Sequence, residues 1–369
     1  MLDEKATSSR VSTAAVLQRS SRVVVLSDSS AEKSPISTTG AVGTTAGGLG
    51  RGPPGMNPEI YLFLQLNSRT ATVRDRLELK HMSTAMDTLD RLDARSDVGT
   101  VTLKVGNLDS QIRYYTEGVG LDVIAQAGPS AVLGRNGAPT MILEHAPALR
   151  HAPDGAAGLF HTAILFSSRA DLAAAVQRVA AWSAGRFLGA SDHLVSEAFY
   201  FDDPEGNGVE LYFDRPRETW RWDGDRVAMD TVFLDPRRYL QLHLADPAIP
   251  RGEAKVGHVH LKVGDVATAR EFYAGVVGFD VTATIGNSAV FFSVGGYHHH
   301  LAANTWNSRG ATGREPSLGL GEIDLTVSDE EAVGALRERL TSSSVPWYDD
   351  GRTLTFEDPW NNALRITAG

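Results

Sequence analysis

The side chains able to do chemistry in this chain are imidazoles and carboxylates, 11 His and 45 Asp+Glu, with no cysteine. The absence of thiols excludes disulfides, thiolate metal sites, iron–sulfur clusters and a cysteine nucleophile, so any metal must be held by His, Asp or Glu. In Val256-Gly257-His258-Val259-His260-Leu261-Lys262-Val263, alternation sends Val259, Leu261 and Val263 to one face of a strand and His258, His260 and Lys262 to the other. In Val209-Glu210-Leu211-Tyr212-Phe213 it separates Glu210 and Tyr212 from their apolar neighbours. A run of imidazoles, His298-His299-His300, stands just before a short apolar stretch. Nitrogen and oxygen donors gathered on polar faces are what a thiol-free metal centre or a general acid–base pair requires.

These strands belong to a repeat. Val98-Gly99-Thr100-Val101-Thr102-Leu103-Lys104-Val105-Gly106 matches Val256–Gly264 at a constant offset of 158, and Tyr115, Gly120 and Asp122 meet Tyr273, Gly278 and Asp280 in the same register. A second pair, opening at Leu159 and Leu320, is related by an offset of 161 and ends in matching turns, Asp203-Pro204-Glu205-Gly206-Asn207 and Asp358-Pro359-Trp360-Asn361-Asn362. Each copy reads as a strand, a helix and three short strands, with helix over 110–117, 171–181, 267–274 and 330–340. The modules cover about 98–147, 158–214, 256–306 and 319–367, and grouping them in chain order gives domains 96–214 and 256–369 with a connector over 215–255. Residues 1–95 are Ser/Thr/Ala/Gly-rich as far as Gly55 and read as a disordered or non-native extension, with short helix over 72–79 and 83–92. A formal charge of −10 disfavours nucleic acid or an anionic membrane as partner, and no run of apolar residues is long enough to span a bilayer. A cytoplasmic location is the expectation.

Four such modules, with Tyr115 and Phe272-Tyr273 on the first helix of their units, resemble the vicinal oxygen chelate superfamily: glyoxalase I, bleomycin-resistance proteins and type I extradiol ring-cleaving dioxygenases. The resemblance implies an α+β fold in which paired βαβββ modules form two cups of curved sheet, with metal ligands on first and last strands. Carried over, the ligand positions are Thr100, His161, His258 and Glu322 on first strands, and Glu144, Glu210, Ala302 and Arg365 on last strands. Pairing in chain order gathers Thr100, Glu144, His161 and Glu210 in one cup. Pairing the two middle modules gathers His161, Glu210 and His258, with Ala302 leaving the fourth place open, and this set suits non-haem Fe(II), with Mn(II) as an alternative. Tyr200, ten residues before Glu210, and His193 before it match further positions of the extradiol enzymes, as does His299 three residues before Ala302. The permuted pairing resembles the Bacillus-type catechol 2,3-dioxygenases, through Tyr297-His298-His299-His300 and the stretch Asp203–Glu210.

The resemblance then implies a small aromatic diol and O2 as substrates, His161, Glu210 and His258 as metal ligands, and His193, Tyr200 and His299 as catalytic residues. His260, His300 and Ala302 would line the substrate or oxygen pocket. Alternation along the strand puts His298, His300 and Ala302 on the polar face, whereas the family spacing selects His299. A glyoxalase-like isomerase or lyase using Glu144, His161 and Glu210, and a metal-free protein that sequesters a planar molecule, are the alternatives. The family also implies a homo-oligomer.

Overall fold

The computed structural model describes residues 91–182, 186–245 and 251–369. The extension expected over 1–95 therefore lies outside the described residues except at its end, where Leu92 is buried and its amide donates to the Gly278 carbonyl, so the fold already includes residue 92. The helix expected over 72–79 and most of that over 83–92 also lie outside them.

Each module forms the expected unit. The first contains β1 (Asp97–Val105), α1 (Leu108–Arg113, continued by wider π turns over Tyr114–Val119), β2 (Asp122–Ala127), β3 (Ser130–Arg135) and β4 (Ala138–His145). The second contains β5 (Gly158–Phe166), α2 (Arg169–Ala181), β6 (Arg186–Asp192), β7 (Ser196–Asp202) and β8 (Gly208–Asp214). In the connector lie a small hairpin, β9 (Trp222–Asp223) and β10 (Arg226–Val227), then β11 (Val232–Phe233) and α3 (Pro236–His243). The third module contains β12 (Ala254–Lys262), α4 (Val266–Arg270, with π turns over Glu271–Val277), β13 (Asp280–Ile285), β14 (Ala289–Ser293) and β15 (Leu301–Asn304). The fourth contains β16 (Gly319–Val327), α5 (Glu330–Ser342), β17 (Trp347–Asp349), β18 (Thr353–Glu357) and β19 (Ala363–Ala368). At the start of each module's helix Asn107, Ser168, Asp265 or Asp329 accepts a bond from the backbone N–H three residues on, which satisfies one of the open donors there.

The sheets combine modules differently from chain order. Modules two and three form one sheet, β11-β6-β7-β8-β5-β12-β15-β14-β13, and modules one and four form the other, β17-β18-β19-β16-β1-β4-β3-β2. The grouping expected over 96–214 and 256–369 thus does not coincide with the hydrogen-bonded sheets. It coincides instead with a set of buried polar locks. Tyr115 Oη donates to Asp203 (3.2 Å) and Arg178 donates to the carbonyls of Gly118 and Val119, joining modules one and two. Tyr273 Oη donates to Asp358 (2.8 Å) and Arg339 donates to those of Val276 and Val277, joining three and four. Sheets and locks alternate, so the four modules form a closed ring. Their apolar faces merge in one core containing Leu103, Leu133, Ile164, Phe199, Leu261, Phe292, Ile323 and Leu364.

Asp203 and Asp358 are buried acceptors for the backbone amides of their own turns and for the Asn207 and Asn362 side chains. Burial raises both carboxyls above their ordinary value of 3.8, against the pull of those hydrogen bonds. A raised folded-state value means a contribution fully present below 3.8 and lost as the pH climbs through the folded value. Urea titrations across pH should therefore show wild type losing stability relative to Asp358→Asn as the pH rises above 3.8. Tyr273→Phe, which removes one donor from that carboxylate, is expected to cost about 1–3 kcal/mol.

Candidate metal centre

Antiparallel pairing of β5 with β12 brings His161 opposite His260 and Ala163 opposite His258. Parallel pairing of β5 with β8 sets Glu210 beside Ala163, and Tyr200 on β7 faces Glu210. One row across the sheet is therefore Tyr200, Glu210, Ala163 and His258, and the next is His161, His260, Ala302 and Phe291. Two bulges adjust the seam. Between Val256 and His258 the extra residue is Gly257, where a Cβ would lie 1.7 Å from the Tyr212 hydroxyl, so only glycine fits. Between Leu159 and His161 it is Phe160, whose ring is thereby delivered beside those of His161 (5.3 Å) and His260 (5.1 Å).

His161 Nε2 lies 2.9 Å and His258 Nε2 3.2 Å from the same carboxylate oxygen, Glu210 Oε2. The three donors lie within 4.8 Å of one another, and among the described residues they are the single such group. All three residues are buried. His161 Nε2 is not aligned with the carboxylate as a hydrogen bond and is left without a partner, a cost that a shared cation would remove. Burial drives His258 down to about 4, so its imidazole is neutral and free to ligate near pH 7. Burial alone would raise Glu210, but the His258 and His161 imidazoles outweigh it and hold the carboxyl well below its ordinary range. Two imidazole nitrogens and one carboxylate oxygen fit a divalent ion.

Tyr200 and His193 are also brought to this cup. His193 Nδ1 is 2.7 Å from the Asp230 carbonyl and Nε2 is 2.7 Å from the Tyr200 hydroxyl. A carbonyl only accepts, so Nδ1 carries a hydrogen, and with that one hydrogen on the ring Nε2 accepts from Tyr200. Burial, then the Glu210 charge, raises the Tyr200 phenol well above its ordinary value and keeps it protonated. His193 opens the β6–β7 turn, where Leu194 adopts a left-handed conformation (φ 69°) that costs about 1–2 kcal/mol in a residue with a side chain.

His299 packs its ring 4.0 Å from that of His258 and 5.0 Å from that of Phe291. His260 lies behind His161, its Nε2 taken by the Asn304 amide at 3.0 Å, and Ala302 sits beside it. His300 is not part of the cup: its Nδ1 meets Ser293 Oγ and the Val294 amide, and its Nε2 lies 3.6 Å from Asp97 of β1. The expectation from alternation fails here because regular strand begins only at Leu301, and the chain bends at His298 and His300. Phe160, Phe291, Met229 and the half-exposed Trp306 complete an apolar wall. Sequence reading passed over Phe160, because a bulge leaves no pattern, and over Asp214, although Glu210, Tyr212 and Asp214 fall on one face by period two.

In the other sheet the equivalent positions offer no such set. Arg365 Nε lies 3.3 Å from Glu322 Oε1 and 3.5 Å from Asp324 Oδ1, so a cation of the chain itself occupies the centre. Glu144 stands beside Lys104 in the β1–β4 ladder there, in a different sheet from His161 and Glu210.

Fold and site together define a paired-module protein with a candidate metal centre on its inner sheet, and comparison with known proteins agrees on the fold. The model of the Glyoxalase/Bleomycin resistance protein/Dioxygenase superfamily matches residues 97–211 and 255–366, and the chain belongs to that superfamily. The catechol-2,3-dioxygenase of Bacillus subtilis (strain 168) is 32% identical over 274 residues, covering 72% of this chain and 95% of that protein. Among solved structures, a Bacillus subtilis protein provisionally named a dioxygenase aligns with TM-score 0.54 at 15% identity, covering 75% of this chain and 86% of that one, a likeness of fold. Glyoxalase I from Zea mays aligns with TM-score 0.48 at 16% identity over 74% of this chain and 92% of that one. Among the described residues, no helix is long and apolar enough to cross a membrane.

If the three donors share one ion, Glu210→Ala and His258→Ala should each reduce bound metal from near one per chain to near zero, measured by elemental analysis after desalting. Arg365→Ala, in the other sheet, should leave the metal content unchanged.

Proposed function

We propose that this protein is an extradiol dioxygenase that cleaves a small aromatic diol with O2, using Fe(II) held by His161, Glu210 and His258, with Mn(II) fitting the same donors. The observation that carries this reading is the bonded pair His193–Tyr200, ending against Glu210 in the cup that holds the triad. When bound, the ion would hold both oxygens of the diol and dioxygen side by side and couple them electronically. Tyr200 gives its own hydrogen to His193, which leaves its oxygen lone pairs free to accept a bond from a substrate hydroxyl. A proton leaving the diol can thus pass to the phenol oxygen as the phenol proton moves to His193 Nε2. His299, whose ring lies 4.0 Å from that of His258, would be a second group to exchange a proton with the substrate. The wall of Phe160, Phe291 and Met229 excludes water and suits a planar ring. The glyoxalase-like alternative called for Glu144 beside His161 and Glu210, and the sheet order separates them. Similarity to the Bacillus subtilis catechol-2,3-dioxygenase supports the same reading.

The test is to load the protein with Fe(II) without oxygen, then add catechols and O2. Growth of a yellow ring-fission chromophore with equimolar oxygen consumption is the expected result. Absence of oxygen uptake by iron-replete protein across substituted catechols would overturn the assignment. Tyr200→Phe and His193→Asn should each lower kcat by roughly 10²–10⁴ while the iron content is kept.

A further inference from the structure

Behind His299 runs a line of polar groups that the proton path through Tyr200 does not use. Asp214 ends β8 and keeps 20% of its side chain exposed. Its Oδ1 is 2.9 Å from His298 Nε2, and His298 Nδ1 is 2.7 Å from His299 Nδ1. His298 is fully buried, walled by the rings of Tyr297, Trp220 and Tyr212. His299 is clamped between His258 and Phe291.

We propose that Asp214 and His298 are positioning residues that fix which ring nitrogen His299 presents to the metal pocket. A carboxylate only accepts, so a His298 ring with one hydrogen carries it at Nε2 and leaves Nδ1 a bare lone pair. Two bare lone pairs 2.7 Å apart would repel, so His299 carries its hydrogen on Nδ1 and donates it to His298. Nε2 of His299 is then the lone pair left for the pocket, and no hydrogen bond within the described residues engages it. A neutral imidazole in free rotation would present either nitrogen, and the wrong one would offer a donor where an acceptor is needed. The inference rests on the dioxygenase reading for what His299 does, and on geometry alone for how it is held.

The tautomer is measurable without turnover. Full-length protein labelled with ¹⁵N-histidine and loaded with diamagnetic Zn(II) should show His299 protonated at Nδ1 in long-range ¹H–¹⁵N correlation spectra. His298→Leu should release that preference. His298→Gln should restore it, since one amide can donate to Asp214 and accept from His299. In the Fe(II) protein, His298→Leu should lower kcat roughly 10- to 100-fold, with KM for the diol and iron content held, and His298→Gln should recover most of the loss. A hydrogen on His299 Nε2 in wild type, or an unchanged tautomer in His298→Leu, would overturn the proposal. Wild type inert towards catechols would count against the dioxygenase reading, while the spectra still decide the positioning pair.

Discussion

The register of β5 against β12 governs this molecule. One residue of slip would turn His258 and His260 into the apolar core and Val259 and Leu261 onto the cup, because side chains alternate with a period of two. That register is held by more than the ladder. Gly257 lets the backbone pass the Tyr212 hydroxyl, which is bonded to that of Tyr297 at 2.7 Å, and Lys255 pairs with Asp97 of the other sheet. Glu210 approaches from β8 on one side of the seam, and His299 and Ala302 from the β15 end on the other. Each candidate ligand, and the proposed proton-handling groups beside them, is therefore located relative to a single strand pair.

Electrostatically the two sheets solve one problem in opposite ways. Each collects polar groups on its central strands, where desolvation penalises an unpaired charge. The outer-module sheet neutralises Glu322 and Asp324 with Arg365. In the inner-module sheet, by contrast, one carboxylate lies between two imidazoles, of which burial keeps His258 neutral, and a nitrogen without a partner remains. A cation supplied from outside would complete the inner-module arrangement, whereas Arg365 already fills that role in the outer one.

Much of this was readable from residue order. The offsets between repeats located all four modules, and the family resemblance, carried onto them, pointed to His161, Glu210, His258, Tyr200 and His193, which the folded chain brings together on one sheet. Periodicity was blind where the backbone is irregular. The bulge that delivers Phe160 and the bends that aim His298 and His299 inward while sending His300 towards Asp97 depend on local dihedrals and packing, which no alternation rule encodes. Module pairing was legible only as two alternatives, since either choice satisfies the same strand faces, and long-range ladders decide between them.

The closed ring of sheets and locks also bears on how the protein is made. The strand β1 emerges early in synthesis, yet its neighbour β16 lies in the last module, so Asp97 waits for Thr326. Modules one and two can meet through Tyr115, Asp203 and Arg178 as soon as both exist, but each then presents a bare strand edge, β1 and β5, to the surrounding solution. Such edges are templates for unwanted pairing. The nascent chain thus spends the translation time of its second half with both seams open, and its vulnerability to aggregation is concentrated in that interval rather than in the finished molecule.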